Sequence, residues 1–413
     1  MYVIDSCRED DESKNNILDI HPENLTRKEI LYLGFVINSK NGSESGAGWA
    51  LLRTHLDAGA RAHIICNSSS EKSILEDLEK YPGQWEFIHL KNFDLFEKVL
   101  RAFPFSLQLR SLFWNFFILR EWNSITRLSD FKLVHYATFA GDWNFCAPLF
   151  KKEIPMLWGP IGGAQKIPFR LLHFLGFAGS LSEIFRGVIT SPLRHFNKFL
   201  VIKRSNILVL CSNDAVQSFF SFSKREFPIS SNVSLPCLTS GERWRDSSSN
   251  YYFAAGRLIP LKNWGLAIKS LALIRDDSLL IIAGSGTSRK RLEKLAVSLN
   301  VAERVIFLGQ TTQAQCIDLM LGSKGVVFPS LRDSASWSLT EAAHYGVPII
   351  ALDLPGTRAV SNFAKFDLVP IRARSNLIEI YSEYMKNPPQ VSNVGQFCKC
   401  SMRSRLSFQM TQM

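Results

Sequence analysis

The sequence predicts an α/β protein of two doubly wound, Rossmann-like domains facing each other across a cleft. Three observations carry that expectation. The chain has 413 residues, enough for two domains with a core each. Short apolar runs at 29–38, 62–66, 131–137, 154–158, 206–211, 251–255, 278–283, 305–308, 325–328 and 347–352 read as strands. They lack the polar alternation of a half-exposed sheet, as parallel strands covered on both faces do. Stretches of helical periodicity separate most of them, the alternation of a doubly wound sheet.

Composition narrows the partners. Hydrophobic content of 46% and charged content of 21% are those of a globular protein. A net charge of +11 favours anionic partners. No nucleic-acid-binding motif is present, so nucleic acid is set aside in favour of a nucleotide-sugar or an anionic membrane surface. The eight cysteines are scattered, and Cys398-Lys399-Cys400 has no second pair at zinc spacing. A reducing compartment and no metal are expected. The N-terminus lacks a basic start followed by an apolar core, and no stretch reaches the roughly 18 apolar residues of a membrane span.

Residues 1–27, polar and mixed in charge, read as a mobile leader. The first domain, 28–240, opens with strand 29–38, a turn-rich stretch 39–48 holding Gly46 and Gly48, a helix 49–58 ended by Gly59, and strand 62–66. The run SLQLRSLFWNFFILREW has helical apolar spacing and reads as a core helix, with an amphipathic face meeting a membrane as the alternative. Strand 131–137 carries His135 near its end, and Asp142 sits in the turn that follows. A lone histidine is commonly a satisfied core residue, and that alternative stays open. Strand 154–158 runs into Gly159-Pro160-Ile161-Gly162-Gly163, where paired glycines let backbone N–H groups approach a ligand. Residues 166–204 hold seven Lys or Arg and one acid among large apolar side chains. That mixture suits an anionic membrane surface; a solvated helical face above a core face is the alternative. Residues 233–238 are expected as the last strand of this domain, and 241–250, rich in Ser and charge, as the hinge.

The second domain, 251–389, carries the chemistry. Arg257 and Lys262 follow a strand end, where two fixed cations would neutralise a developing diphosphate. Gly284-Ser285-Gly286 is no full dinucleotide fingerprint, because Arg289 stands where the third glycine would be, so no cofactor is expected. Asp333 in a loop and Glu341 on the next helix are separated by seven residues. Ligands of such sheets bind beyond the carboxyl ends of the strands, and a helix N-terminus there favours an anion. Acids beside it can hold hydroxyls, which suits a sugar joined to a phosphate. The tail, 390–413, is polar and basic and is expected either to be short or poorly ordered or, by the resemblance set out next, to pack back on the first domain.

Residues 326–354 resemble the E-x7-E signature of retaining glycosyltransferases of family 4, with Asp333 in place of the first Glu. Gly256-Arg257-Leu258-Ile259-Pro260-Leu261-Lys262 resembles the G-R-L-x3-K segment of that family. The likeness covers most of 31–355 in layout, with its specific motifs in the second half. It implies a GT-B fold and metal-independent hexosyl transfer from a nucleotide-diphosphate sugar to a glycan or lipid-linked glycan, in bacterial polysaccharide biosynthesis. It also implies a cytoplasmic protein, peripheral at the inner face of the membrane. By this resemblance Arg257 and Lys262 hold the diphosphate, Glu341 the ribose hydroxyls and Asp333 the transferred sugar. His135 lies beside that sugar from the other domain. Gly46, Gly48, Gly284 and the loop residues Ser334, Ala335 and Ser336 offer backbone to the donor, while Asp142, Gly162 and Gly163 line the acceptor side. The chain departs from the usual E-G-F-G loop at Asp333-Ser334-Ala335-Ser336, and from the glycine after the lysine at Asn263. A sugar-nucleotide epimerase or phosphorylase on the same fold, or a non-catalytic descendant that binds nucleotide-sugar, stays open.

Overall fold

The computed structural model describes residues 28–39, 43–100, 106–223, 225–231, 233–238, 243–244, 249–334, 336–372, 376–398 and 401. The leader assigned to 1–27, most of the hinge 241–250, Ala335 and most of the tail past 398 lie outside them.

The first half forms one parallel sheet. Its strands are β1 (Glu29–Gly34), β2 (Arg61–Ile65), β3 (Trp85–Phe87), β4 (Leu133–Thr138), β5 (Met156–Ile161) and β6 (Ile207–Cys211), in the order β3-β2-β1-β4-β5-β6. Helices α1 (Ser43–Asp57), α2 (Ser68–Leu78), α3 (Phe93–Leu100), α4 (Ser106–Ile125), α5 (Gly176–Ile202) and α6 (Asp214–Phe220) connect and cover it. Both faces are buried, which is why the strands read as unbroken apolar runs. Along β1 the two-residue period sends Ile30 and Tyr32 to one core, with Leu52 and Ile74, and Leu31 and Leu33 to the other, with Trp114 and Ile118. Cys146 and Cys211 are buried core thiols, pushed up in pKa by burial.

The second half repeats the plan with β7 (Tyr251–Ala255), β8 (Leu279–Ala283), β9 (Val305–Gly309), β10 (Gly325–Phe328) and β11 (Ile349–Ala351), ordered β11-β10-β7-β8-β9 and all parallel. Its helices are α7 (Trp264–Ala272), α8 (Arg289–Ser298), α9 (Gln313–Leu321), α10 (Trp337–Tyr345), α11 (Pro355–Ala364) and α12 (Leu377–Lys386). In both sheets the strand order reverses beside the first strand, between β1 and β4 and between β7 and β10. Those switch points are where such sheets bind ligands.

Three expectations need correction. The stretch 39–48 is not a loop up to Gly48, because α1 begins at Ser43 and takes in both Gly46 and Gly48. Glycine disfavours helix, but close packing overrides the propensity. A Cβ at Gly48 would stand 2.4 Å from Thr138 Cγ2, and the Tyr32 hydroxyl donates to the Gly48 carbonyl at 2.5 Å. The segment 233–238 does not close the first domain: Val233 and Leu235 pack in the core of the second with Phe253 and Phe397. The described end of the chain stays there too. The Leu235 N–H donates to the Phe397 carbonyl at 2.8 Å, while Val391 and Phe397 are buried against the second domain rather than the first. The chain crosses between halves in another place as well, since Ile167, Leu171 and Leu175 are buried in the core built on β7, β8 and α7.

Candidate active site

The loops beyond β7 and β10 are stitched together. The Leu331 N–H donates to the Leu261 carbonyl at 3.0 Å, and the Ser338 hydroxyl on α10 donates to the Ala255 carbonyl at 3.2 Å. Lys262 and Asp333 meet there as a hydrogen-bonded ion pair, each largely buried. The Lys262 ammonium also lies 5.1 Å from the centre of the Phe328 ring. Arg257 is exposed and makes no ion pair among the described residues. Gly284 is forced: at φ +135 its Cβ would stand 2.0 Å from the Gly256 carbonyl oxygen, so the β8 end can lie directly under the β7 loop.

Glu341 is 4% exposed. Its Oε1 accepts from Gln313 Nε2 at 2.7 Å and from Trp337 Nε1 at 2.8 Å. Burial raises its pKa, and the two N–H donors pull against that rise. Both bonds fall on Oε1, so Oε2 is left to accept from a hydroxyl. Ser334 and Ser336 flank the one loop position outside the described residues. Ser336 precedes α10, its hydroxyl 3.3 Å from that of Ser338.

The first domain supplies the facing wall. A Cβ at Gly162 would stand 2.8 Å from Ser334 Oγ, so the two loops touch across the cleft. Asp142 is fully buried; its Oδ2 lies 2.6 Å from Arg194 Nε and accepts from the Ala164 N–H at 2.6 Å. Burial raises its pKa, with Arg194 the main opposing influence. Gly163, at φ +127, has room for no side chain: a Cβ would stand 1.9 Å from Asp142 Oδ1. Asp142 therefore shapes the Gly162-Gly163 loop from beneath rather than facing the cleft itself.

His135 departs from its expected place. It is 0% exposed in the middle of β4, with Nδ1 2.8 Å from His55 Nε2 and Nε2 2.9 Å from the Gly159 carbonyl. A parallel strand covered on both faces buries every side chain along it, and Tyr32 and His55 enclose the ring. Gly46 and Gly48, helical and buried, likewise offer no loop backbone to a ligand.

Other residues of the site were not legible in the sequence. Gln165 Nε2 donates to the Asp333 carbonyl across the cleft at 2.6 Å. Arg332, beside Asp333, pairs with Glu183 on α5 at 3.4 Å, and Glu183 also holds Arg186 at 2.5 Å. Gly356 packs so tightly under the loop that a Cβ would stand 1.7 Å from the Asp333 carbonyl oxygen. Among the described residues no group of three or more His, Cys, Asp or Glu is placed to hold a metal ion.

Two facing Rossmann-like domains, each a parallel sheet with a switch point beside its first strand, give the chain the GT-B fold. Residues 242–369 match the family model of glycosyl transferases, group 1. The chain is 24% identical over 191 residues to the uncharacterized glycosyltransferase YqgM of Bacillus subtilis (strain 168), covering 46% of this chain and 52% of that protein. It is 24% identical over 189 residues to the D-inositol 3-phosphate glycosyltransferase of Mycolicibacterium vanbaalenii, covering 40% of this chain and 42% of the other. The chain thus spans about half the length of these relatives, or less. The crystal structure of Anabaena Alr3699/HepE in complex with UDP and glucose superposes with a TM-score of 0.58 at 14% identity, covering 94% of this chain and all of that one.

Proposed function

We propose that the protein transfers a hexose from a nucleotide-diphosphate sugar to a glycan or lipid-linked glycan acceptor with retention at the anomeric carbon, in polysaccharide assembly. One observation carries the reading. The Lys262–Asp333 pair ties together the loops beyond β7 and β10, with Arg257 in the first of those loops, the buried Glu341 on the helix after the second, and Ser334 against Gly162 of the first domain. The solved structure above holds UDP and glucose on the same fold, which supports a sugar diphosphate as the ligand.

In this reading the diphosphate competes with Asp333 for Lys262. The ammonium turns to the leaving phosphate, and the freed carboxylate accepts from hydroxyls of the sugar. Arg257 adds a second, forked cation as charge develops on the leaving group. Glu341 Oε2 accepts from a ribose hydroxyl while Trp337 and Gln313 fix its orientation. Shorter Asp at position 333 suits this pairing, because the carboxylate stays within reach of Lys262. The cations do the work a divalent ion would do elsewhere, so chelation is expected to leave turnover unchanged.

A panel of UDP-, GDP- and ADP-sugars, scored for nucleotide release with and without a glycan acceptor, tests the reading. Arg257→Ala is expected to lower kcat/KM about a hundredfold. Glu341→Ala is expected to lower it about ten- to a hundredfold, mainly through KM. Release that needs no acceptor, or that survives both substitutions at the wild-type rate, would sink it. Product NMR reads the anomeric configuration.

A further inference from the structure

The 27-residue helix α5 is turned inside out. Its inward face carries Thr190, Arg194 and Asn197, all buried, with Glu183 and Arg186 on the same side. Arg194 pairs with Asp142, and Asn197 donates to the Asp142 and Asn144 carbonyls at 2.9 Å each. Its outward face is apolar. Phe177, Leu181, Phe185 and Val188 stand three or four residues apart, and beyond the exposed Pro192 the same face continues with Phe196 and Phe199, one stripe. Phe177 is 88% exposed, Phe185 64% and Val188 65%. A helix in water ordinarily presents the opposite arrangement, and a continuous exposed apolar stripe marks a surface that something covers.

We infer that α5 lies in the surface of an anionic membrane, with this stripe among the acyl chains. Charge decides the occupant. Lys166 and Arg170, exposed just before the helix, and Lys203, exposed at its end, bracket the stripe. The Lys203 ammonium sits 4.5 Å over the Phe199 ring. Glu183 is the one acid among residues 166–204, and it is held inward by Arg186 and Arg332. Basic residues at both ends of an apolar stripe match anionic headgroups around a hydrocarbon surface. A second copy of the chain would set the same cations against each other. No helix among the described residues is long and apolar enough to cross a membrane, so α5 lies along the surface over about 40 Å. The proposal does not rest on the catalytic reading, and vesicle binding needs no turnover.

The test is flotation of the full chain at low salt with vesicles of phosphatidylglycerol and phosphatidylcholine, against vesicles of phosphatidylcholine alone. The wild type is expected to float with the anionic vesicles and to lose most of that binding in high salt. The triple variant Phe177→Glu/Phe185→Glu/Phe199→Glu alters outward side chains only; circular dichroism checks its fold. Its partitioning is expected to fall about tenfold or more. The single variant Phe185→Trp is expected to shift its emission to the blue on anionic vesicles. A wild type that stays at the bottom of the gradient overturns the proposal. So does a triple variant that floats as well as the wild type, or a wild-type dimer that the triple variant dissociates.

Discussion

His135 sits in a chain of imidazoles whose protons can be assigned. The Gly159 carbonyl only accepts, so His135 Nε2 carries the proton and Nδ1 accepts from His55 Nε2. His55 Nδ1 is then a bare, buried nitrogen, in keeping with its lack of a partner among the described residues. Burial pulls His135 down to about 4, and burial with its neighbour pulls His55 well below its ordinary value. A depressed histidine means that the unfolded chain binds more protons as pH falls from 6.5 towards that value, so stability drops with acid through this window. At about pH 5 the His135 share is about 2 kcal/mol. Denaturant unfolding at about pH 7 and pH 5 is expected to show that loss, and His55→Gln/His135→Gln to reduce it. Equal losses in wild type and variant would refute the assignment. At this scale the sequence was legible where placement is local: Arg257, Lys262 and Asp333 fall in the loops after β7 and β10, and Glu341 on the helix that follows. It was mute where partners are remote, because Gln313 is 28 residues from Glu341 and Gln165 is 168 from Asp333. It misled at His135, whose place near a strand end looked like a cleft edge.

Elements with strong apolar runs were legible; those held by packing or unusual caps were not. Helix α11 opens with Pro355 but has Leu354 rather than Ser, Thr, Asp or Asn at its N-cap; instead the Thr357 hydroxyl accepts from the Leu354 N–H at 3.1 Å. The start of α1 was hidden by two glycines that look like loop residues. Gly48 serves helix-to-strand approach, pressed on Thr138 at the carboxyl end of β4. That gives a direct measurement. Gly48→Ala is expected to destabilise by about 1–3 kcal/mol through overpacking against the Thr138 methyl. Adding Thr138→Ser removes that methyl and keeps the hydroxyl that accepts from the Val36 N–H at 3.3 Å. The double variant is expected to recover most of the loss, a coupling that a double-mutant cycle reads. Additive effects would mean that Gly48 matters for some reason other than this contact.

Across the whole molecule, one stretch of the first half both braces the second and sets its loop. Ile167, Leu171 and Leu175 are buried in the second core. Gln165 and Glu183, on either side of them, hold the Asp333 carbonyl and Arg332. Arg358 on α11 pairs with Asp214 on α6 as another tie between the halves. The apolar anchor and the polar contacts do separate jobs. The anchor buries enough hydrocarbon that Leu171→Ala would cost about 2–4 kcal/mol of stability. The contacts, each worth about 0.5–1.5 kcal/mol net, position the loop that carries Asp333. Glu183 stands between two guanidiniums, so removing its charge sets Arg186 and Arg332 against each other beside that loop. Gln165→Ala/Glu183→Gln is therefore expected to keep the fold and the thermal midpoint within a few degrees while weakening binding of whichever nucleotide the donor panel selects about tenfold by calorimetry. Small-angle scattering is expected to show a larger radius of gyration for the free double variant than for the free wild type. Unchanged affinity together with unchanged scattering would leave the apolar anchor as the sole brace and deny the polar contacts any part in positioning the loop.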